Sequence, residues 1–374
     1  MPLKTIRANR RWIVRIIALV FLSAIVARWV SHAAPAGAAG TPSENVRNAL
    51  PATNEPGAFV KRAVIISIDG LRPDLLLRAR TPHLRGLMEQ GSYTMWARTT
   101  EMSITLPSHT SMVTGVTPDY HRIIWNYYIK NVYPDVPTIF ELAQRMGYTT
   151  ALCSGKTKFH ELCSPGSVNW TDVFWENATR KVGPDLDTAE AACSILRRYQ
   201  PNVLFMHLGQ VDETGHGIGW ATPQQIAAIE RADAAVGQLM DALREMQLFD
   251  QTLIIISADH GGQGKTHGPN DPRSRHIPWI AVGPGIKKDY DLTRHADLVV
   301  NTEDTFATAC HLLRIRVPGK VDGKFVNQIL ERPEPEKPKK KGEQAKSTDE
   351  DKYNRWEAPP YKPEWERLEQ GHRS

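Results

Sequence analysis

Ala63-Val-Ile-Ile-Ser-Ile-Asp69-Gly70 decides the fold of this chain. Its first six residues are almost wholly apolar and rich in β-branched side chains, with no alternation. That is the pattern of a strand covered on both faces, and hence of a parallel sheet. The carboxylate that follows stands just past the strand's carboxyl end, where open α/β sheets place their ligands. Asp-Gly is also a common turn signal, so the pair alone says nothing of function.

Runs of the same kind recur at Tyr148–Cys153, Asn202–Leu208, Thr252–Ser257 and Pro278–Val282. Helical patterns lie between them, at Thr138–Met146, Thr188–Arg198 and Pro223–Met246. The last carries Ile226, Ile229, Val236, Leu239 and Leu243 on one face. Strands alternating with helices predict an α/β fold: a central, mostly parallel sheet with helices on both faces, spanning 61–330.

The flanks differ in kind. Residues 1–38 hold Lys4, Arg7, Arg10, Arg11, Arg15 and Arg28 and no acid, and Ile16–Ala27 is an uninterrupted apolar run. Ala36-Gly37-Ala38 offers a cleavage site. This reads as a signal peptide or N-terminal anchor, with export to the periplasmic or extracellular space. Left uncleaved, residues 12–30 would attach the chain to a membrane. Residues 39–60 read as a linker, and 331–374, dense in Pro, Lys and Glu, as a solvated tail. The formal charge of +5 falls to −1 once the six N-terminal cations are set aside. Charge therefore gives no support to nucleic-acid scaffold binding. The four cysteines are too scattered for a disulfide framework, and no CxxC pattern exists to hold a cysteine-bound metal.

Chemistry gathers at the strand ends. Asp69 follows the first strand. Asp212-Glu-Thr-Gly-His216 follows the Asn202–Leu208 run, with an oxygen and a nitrogen ligand four apart. Asp259-His260-Gly261 follows Thr252–Ser257, and His267 lies in the Gly-rich loop beyond. Thr105-Leu-Pro-Ser-His109 reads as a helix start, with Pro107 in its first turn and Gly115 at its end. A hydroxyl there sits among backbone N–H groups that favour an alkoxide or anion. Thr105 as a simple helix cap is the bland alternative. Jointly, three Asp, three His and one hydroxyl match two divalent metals sharing a nucleophile for in-line displacement at phosphorus.

These residues resemble the alkaline phosphatase superfamily, and within it the type I phosphodiesterase/nucleotide pyrophosphatase branch. The resemblance runs from Val64-Ile-Ile-Ser-Ile-Asp-Gly-Leu-Arg-Pro-Asp74 to about Val321-Asp-Gly-Lys324. It implies an alkaline-phosphatase-like fold and two divalent metals. One would be held by Asp212, His216 and His267, the other by Asp69, Asp259, His260 and the Thr105 oxygen. Imidazole and carboxylate donors suit Zn²⁺, with manganese or iron able to replace it. Thr114-Gly-Val-Thr-Pro-Asp-Tyr-His-Arg-Ile-Ile-Trp-Asn126 is similar to a family segment whose Asn binds a phosphoryl oxygen, a role that would fall to Asn126. Arg122 departs from the pattern, standing where the branch often has Gly. His276 competes with His267 for the place of last ligand.

The implied reaction is phosphate-ester hydrolysis through a phospho-threonine on Thr105. Small phosphate esters or nucleotides are the expected partners, with diesters and pyrophosphate bonds preferred. Trp125, Tyr127, Tyr128 and Trp220 are candidates to face an aryl or base group, or else core aromatics. A good monoesterase adds a cation at the transferred group, and Arg72, Arg122, Lys156 and Lys158 are the candidates; Lys156 joins Trp125 and Tyr128 as an expected substrate contact. A phosphomonoesterase or phosphonate hydrolase on the same metals is the rival enzyme. A fold that binds a ligand without catalysis is the rival from another class, separated by bound metal and turnover.

Overall fold

The structure, a computed structural model, describes residues 60–268 and 271–333. The expected export segment, nearly all of the linker and residues 334–374 of the tail lie outside them. Among the described residues, no helix is long and apolar enough to cross a membrane.

Strands β1 (Arg62–Ile68), β2 (Ser92–Arg98), β3 (Thr150–Ser154), β4 (Trp170–Val173), β5 (Val203–Leu208), β6 (Thr252–Ser257), β7 (His276–Val282) and β8 (Tyr290–Asp291) form one sheet. Their order is β4-β3-β5-β1-β6-β7-β2-β8. Every residue of β1, β3, β5 and β6 is buried, so the aliphatic runs are strands covered on both faces, as their composition requires. Burying such side chains stabilises by about 1.5–3 kcal/mol each.

The helices that position the site are α1 (Thr105–Thr114), α2 (Ile139–Arg145), α3 (Asp185–Tyr199), α4 (Gln210–Gly217), α5 (Pro223–Glu245) and α6 (Thr302–Leu312). Thr138 and Glu141 close a reciprocal capping box at the start of α2. Thr222 caps α5, with Pro223 at the first helical position, where its missing N–H costs nothing. The sheet is flanked by helices, and α3 packs on both α5 and β5.

Neighbours β4, β3, β5, β1 and β6 are all parallel, whereas β7 runs antiparallel to both β6 and β2. A parallel neighbour needs a crossover of a dozen or more residues, usually helical. Between β6 and β7 the described chain offers only the four-residue helix Pro272–Arg275. The connection therefore stays at one end of the sheet, where it forms the loop that carries Asp259, His260 and His267. Strands β2, β4 and β8 were not foreseen. All four cysteines are free thiols, Cys153 and Cys310 fully buried.

Candidate metal centre and nucleophile

Parallel register brings the carboxylates together. Ile68 of β1 pairs with Leu208 of β5, and Ser67 with Ser257 of β6. The three strands end level, and Asp69, Asp212 and Asp259 emerge from the same rim. Gly70 makes their approach possible. Its φ is +75°, and a Cβ there would lie 3.0 Å from the Asp212 backbone. Its N–H donates to Asp259 Oδ1 at 3.1 Å. Gly261 serves by size rather than by turning sharply: a Cβ would lie 2.0 Å from the Arg273 carbonyl oxygen. Asp212 and His216 stand one turn apart on α4, with Oδ1 and Nε2 3.3 Å apart.

Each carboxylate spends one oxygen on hydrogen bonds to the protein and turns the other toward the histidines without a hydrogen bond. Lys156 Nζ donates to Asp69 Oδ2 and to Asp212 Oδ2, both at 2.6 Å. The remaining oxygens, Asp69 Oδ1, Asp212 Oδ1 and Asp259 Oδ2, are buried and unsatisfied. They surround His260 Nε2 at 3.5, 4.0 and 3.1 Å respectively. His267 Nε2 lies 4.0 Å from Asp212 Oδ1. Two sets of donors are thus close enough to hold an ion: Asp212, His260 and His267, and Asp69, Asp259 and His260. His276 belongs to neither. It opens β7 and packs edge-on against Trp96, 5.0 Å between centroids.

Burial works against charge here, and partners decide which groups keep it. Burial pushes Asp69 and Asp212 up, but Lys156 and neighbouring histidines more than offset this and hold both well below the usual range. Burial and the Asp69 charge push Asp259 well above its ordinary value. Burial also holds His109 well below its ordinary value and lowers His260 to about 4, so both are neutral near pH 7. Neutral His260, whose Nδ1 donates to the Gly261 carbonyl at 2.8 Å and whose Nε2 lone pair faces carboxylate oxygens lacking a hydrogen bond, is the kind of donor a divalent cation requires.

Thr105 opens α1. The residue before it, Ile104, makes no side-chain cap, and Thr105 Oγ1 does not cap the helix but lies 3.4 Å from His260 Nε2. The helix ends at Gly115 in the left-handed region. All ten residues of α1 are buried although most are polar. The hydroxyls of Thr110 and Thr114 bond back to the carbonyls of Leu106 and Thr110, at 2.7 Å each. His109 Nδ1 meets the Thr105 carbonyl at 2.8 Å and its Nε2 meets Ser67 Oγ at 2.7 Å, which ties the first turn of α1 to β1.

Asn126 Oδ1 accepts from Leu106 N at 3.0 Å and from Lys158 Nζ at 2.9 Å. With its oxygen engaged twice, the amide is left to donate through nitrogen. Arg122 accommodates the departure noted above by adopting φ +66°, a left-handed conformation that Gly would reach without strain.

Three of the four candidate aromatic residues are tied into the protein. Trp125 Nε1 donates to Glu161 at 3.0 Å, and Tyr128 packs edge-on against Trp175. Trp220 is buried, donates to the Gly70 carbonyl and buttresses His216 and His267. Tyr127 is largely exposed. Lys156, expected as a substrate contact, is engaged by two carboxylates. Two contributors went unseen in the sequence. His207 sits within β5, its Nε2 3.0 Å from Asp69 Oδ2. Asp185 at the start of α3 accepts from the backbone of Gly209 and Gln210 at 2.8 and 3.1 Å, holding the start of α4. A lone His in an otherwise apolar strand was the one visible signal for the first.

A model of the type I phosphodiesterase/nucleotide pyrophosphatase family matches residues 63–271, more than half the chain. The chain belongs to that family. The matched span holds all three carboxylates, Thr105, Asn126, His260 and His267. An uncharacterised pyrophosphatase/phosphodiesterase of Schizosaccharomyces pombe is 26% identical over 227 residues, covering 56% of this chain and 46% of its own length. The human ectonucleotide pyrophosphatase/phosphodiesterase family member 1 is 27% identical over 230 residues, 56% of this chain and 24% of its own. The chain thus spans half or less of the length of these relatives. Among solved structures, an inactive variant of murine ectonucleotide pyrophosphatase/phosphodiesterase 5 in complex with AMP aligns with TM-score 0.60 at 16% identity, over 72% of this chain and all of that one. At that identity the likeness is one of fold.

Proposed function

We propose that this chain hydrolyses phosphate esters, phosphodiesters and nucleotide pyrophosphate bonds among them, through a covalent phospho-threonine on Thr105. The observation that carries the reading is the convergence of three unsatisfied carboxylate oxygens on His260, 3.4 Å from the Thr105 hydroxyl. His260 lies close enough to serve with either donor set; we assign it with Asp69 and Asp259 to one divalent cation, and Asp212 and His267 to the other, joined by His216, whose Nε2 lies 3.3 Å from Asp212 Oδ1. Such cations supply Lewis acidity and ease ionisation of a coordinated hydroxyl or water, with zinc the best match to these donors.

The protein's own groups do the rest. Thr105 stands at the start of α1, where the helix dipole favours developing negative charge. Asn126 donates to a phosphoryl oxygen, a preorganised contact of the kind worth about 3–4 kcal/mol in a transition state. Membership of the family supports small phosphate esters and nucleotides as substrates. Export, with or without attachment through residues 12–30, rests on the basic and then apolar N-terminus.

The test is turnover of a chromogenic phosphate ester before and after chelation. Chelation abolishes hydrolysis and Zn²⁺ restores it. Full activity in enzyme shown metal-free by elemental analysis refutes the proposal.

A further inference from the structure

Of the cations near the site, Lys156 is saturated by Asp69 and Asp212. Arg72 is committed to Asp74 and to the Gly262 carbonyl. Arg122 is exposed. Lys158 differs from all three. It is half-buried and, among the described residues, pairs with no carboxylate; its ammonium makes one hydrogen bond, to the uncharged Asn126 amide at 2.9 Å. That same amide oxygen accepts from Leu106 N, the residue after the nucleophile. A partly desolvated ammonium held beside the nucleophile, with no carboxylate in ion-pair contact, leaves two N–H groups for an anion.

We propose that Lys158 binds a non-bridging oxygen of the transferred phosphoryl group and so gives this chain phosphomonoesters as substrates in addition to diesters. A monoester dianion carries three non-bridging oxygens. A diester replaces one of them by an uncharged ester oxygen and its substituent, which gains nothing from an ammonium. The proposal rests on the hydrolase reading above and runs through the same bonds. The Thr105 oxygen–phosphorus bond forms as the ester bond breaks, and the hydroxyl proton leaves with the alcohol by way of solvent. Water then displaces the Thr105 oxygen and releases inorganic phosphate.

The experiment compares wild type, Lys158→Met and Lys158→Arg, each zinc-loaded and checked for metal content. Two readouts are taken. One is kcat/KM for an aryl phosphate and for the matching methyl aryl diester. The other is the affinity for inorganic phosphate by calorimetry. Wild type should hydrolyse both esters. Lys158→Met should lose about a hundredfold on the monoester, the scale of one lost oxyanion donor. That loss should exceed the loss on the diester by about tenfold or more, and phosphate binding should weaken by a similar factor. Lys158→Arg should recover most of both. Equal losses on the two esters with phosphate affinity unchanged would mean that Lys158 acts only by holding Asn126, and the proposal falls. Wild type active on the diester but not the monoester overturns it as well and leaves the hydrolase reading intact. Inertness toward both esters with metals bound sinks the hydrolase reading instead; phosphate affinity then decides Lys158 alone, an unchanged value overturning its role.

Discussion

Lys156 is the residue on which the metal-free site depends. Two carboxylates share its ammonium, and burial alone would drive all three groups toward neutrality. Removing one member of a buried charge cluster leaves the others uncompensated, at a cost of about 3–5 kcal/mol. Lys156→Met should therefore destabilise the chelated chain by an amount of that order. Bound dications supply the missing positive charge, so the zinc-loaded variant should lose less. Urea unfolding of both forms measures this, and equal losses in the two states would contradict it. Thr105 gives a second expectation. Its side chain makes no cap, so Thr105→Ala should keep fold and metal content yet lose turnover, while Thr105→Ser keeps part of it. Phosphate trapped on any other residue, located by peptide mass spectrometry, would show the nucleophile to be misassigned. The choice between the two late histidines rests on position. His267 Nε2 points at Asp212, while His276 packs on Trp96. Accordingly His267→Ala should strip or weaken one metal and His276→Ala should not, as read by elemental analysis.

Helix α4 carries Asp212 and His216, and Asp185 holds its first turn through two backbone N–H groups. Burial pushes the Asp185 carboxyl from 3.8 up to about 7. An acid whose folded value is raised binds more protons in the native than in the unfolded state between those limits. Its contribution to stability is thus full below pH 3.8 and is lost as pH rises toward 7. Asp185→Asn keeps the acceptor and removes the titration, so the fall in urea midpoint between pH 5 and 7 should be shallower in the variant. Parallel pH profiles would count against this. The same scale shows what the sequence could disclose. Strands β1, β5 and β6 were legible because burial on both faces demands largely apolar runs, and Asp69, Asp212 and Asp259 were legible as candidate ligands because they stand within a few residues of the ends of those runs. Strand β2 was not, since its burial is uneven and its register shifts between Thr94 and Ala97. Nor was β4, a half-exposed edge of four residues. Strand β7 was recognised but not its direction, which resides in the connection and not in the side chains of Pro278–Val282. His207 and the double bridge of Lys156 arise from register and tertiary approach, which no local pattern encodes.

At the level of the whole molecule, the site joins segments that the chain brings together only by folding. Asp69 follows β1, Asp259 opens residues 259–268 beyond the neighbouring β6, and α4, which carries Asp212 and His216, follows β5 on the other side of β1. A cation bound there links these three segments and has no equivalent site in the unfolded chain, so its binding free energy adds to stability. At a thousandfold excess of free metal over Kd that amounts to about 4 kcal/mol. Zinc should therefore raise Tm in a concentration-dependent way. Burial pushes Asp259 well above its ordinary value, so zinc binding should be linked to proton release and tighten as pH rises, read as base consumed in a weakly buffered solution. The gain should be uneven in space. Amide exchange should slow most in α4 and at residues 259–268, which reach the site without crossing the sheet. It should change little at the far edge, where Trp170 of β4 stacks on Tyr199 of α3. Calorimetry with and without zinc, followed by exchange mass spectrometry, reads both effects. A Tm independent of zinc concentration would mean that the carboxylate and imidazole cluster does not bind metal in the folded chain. Uniform slowing across the sheet would mean that metal binds without closing these segments.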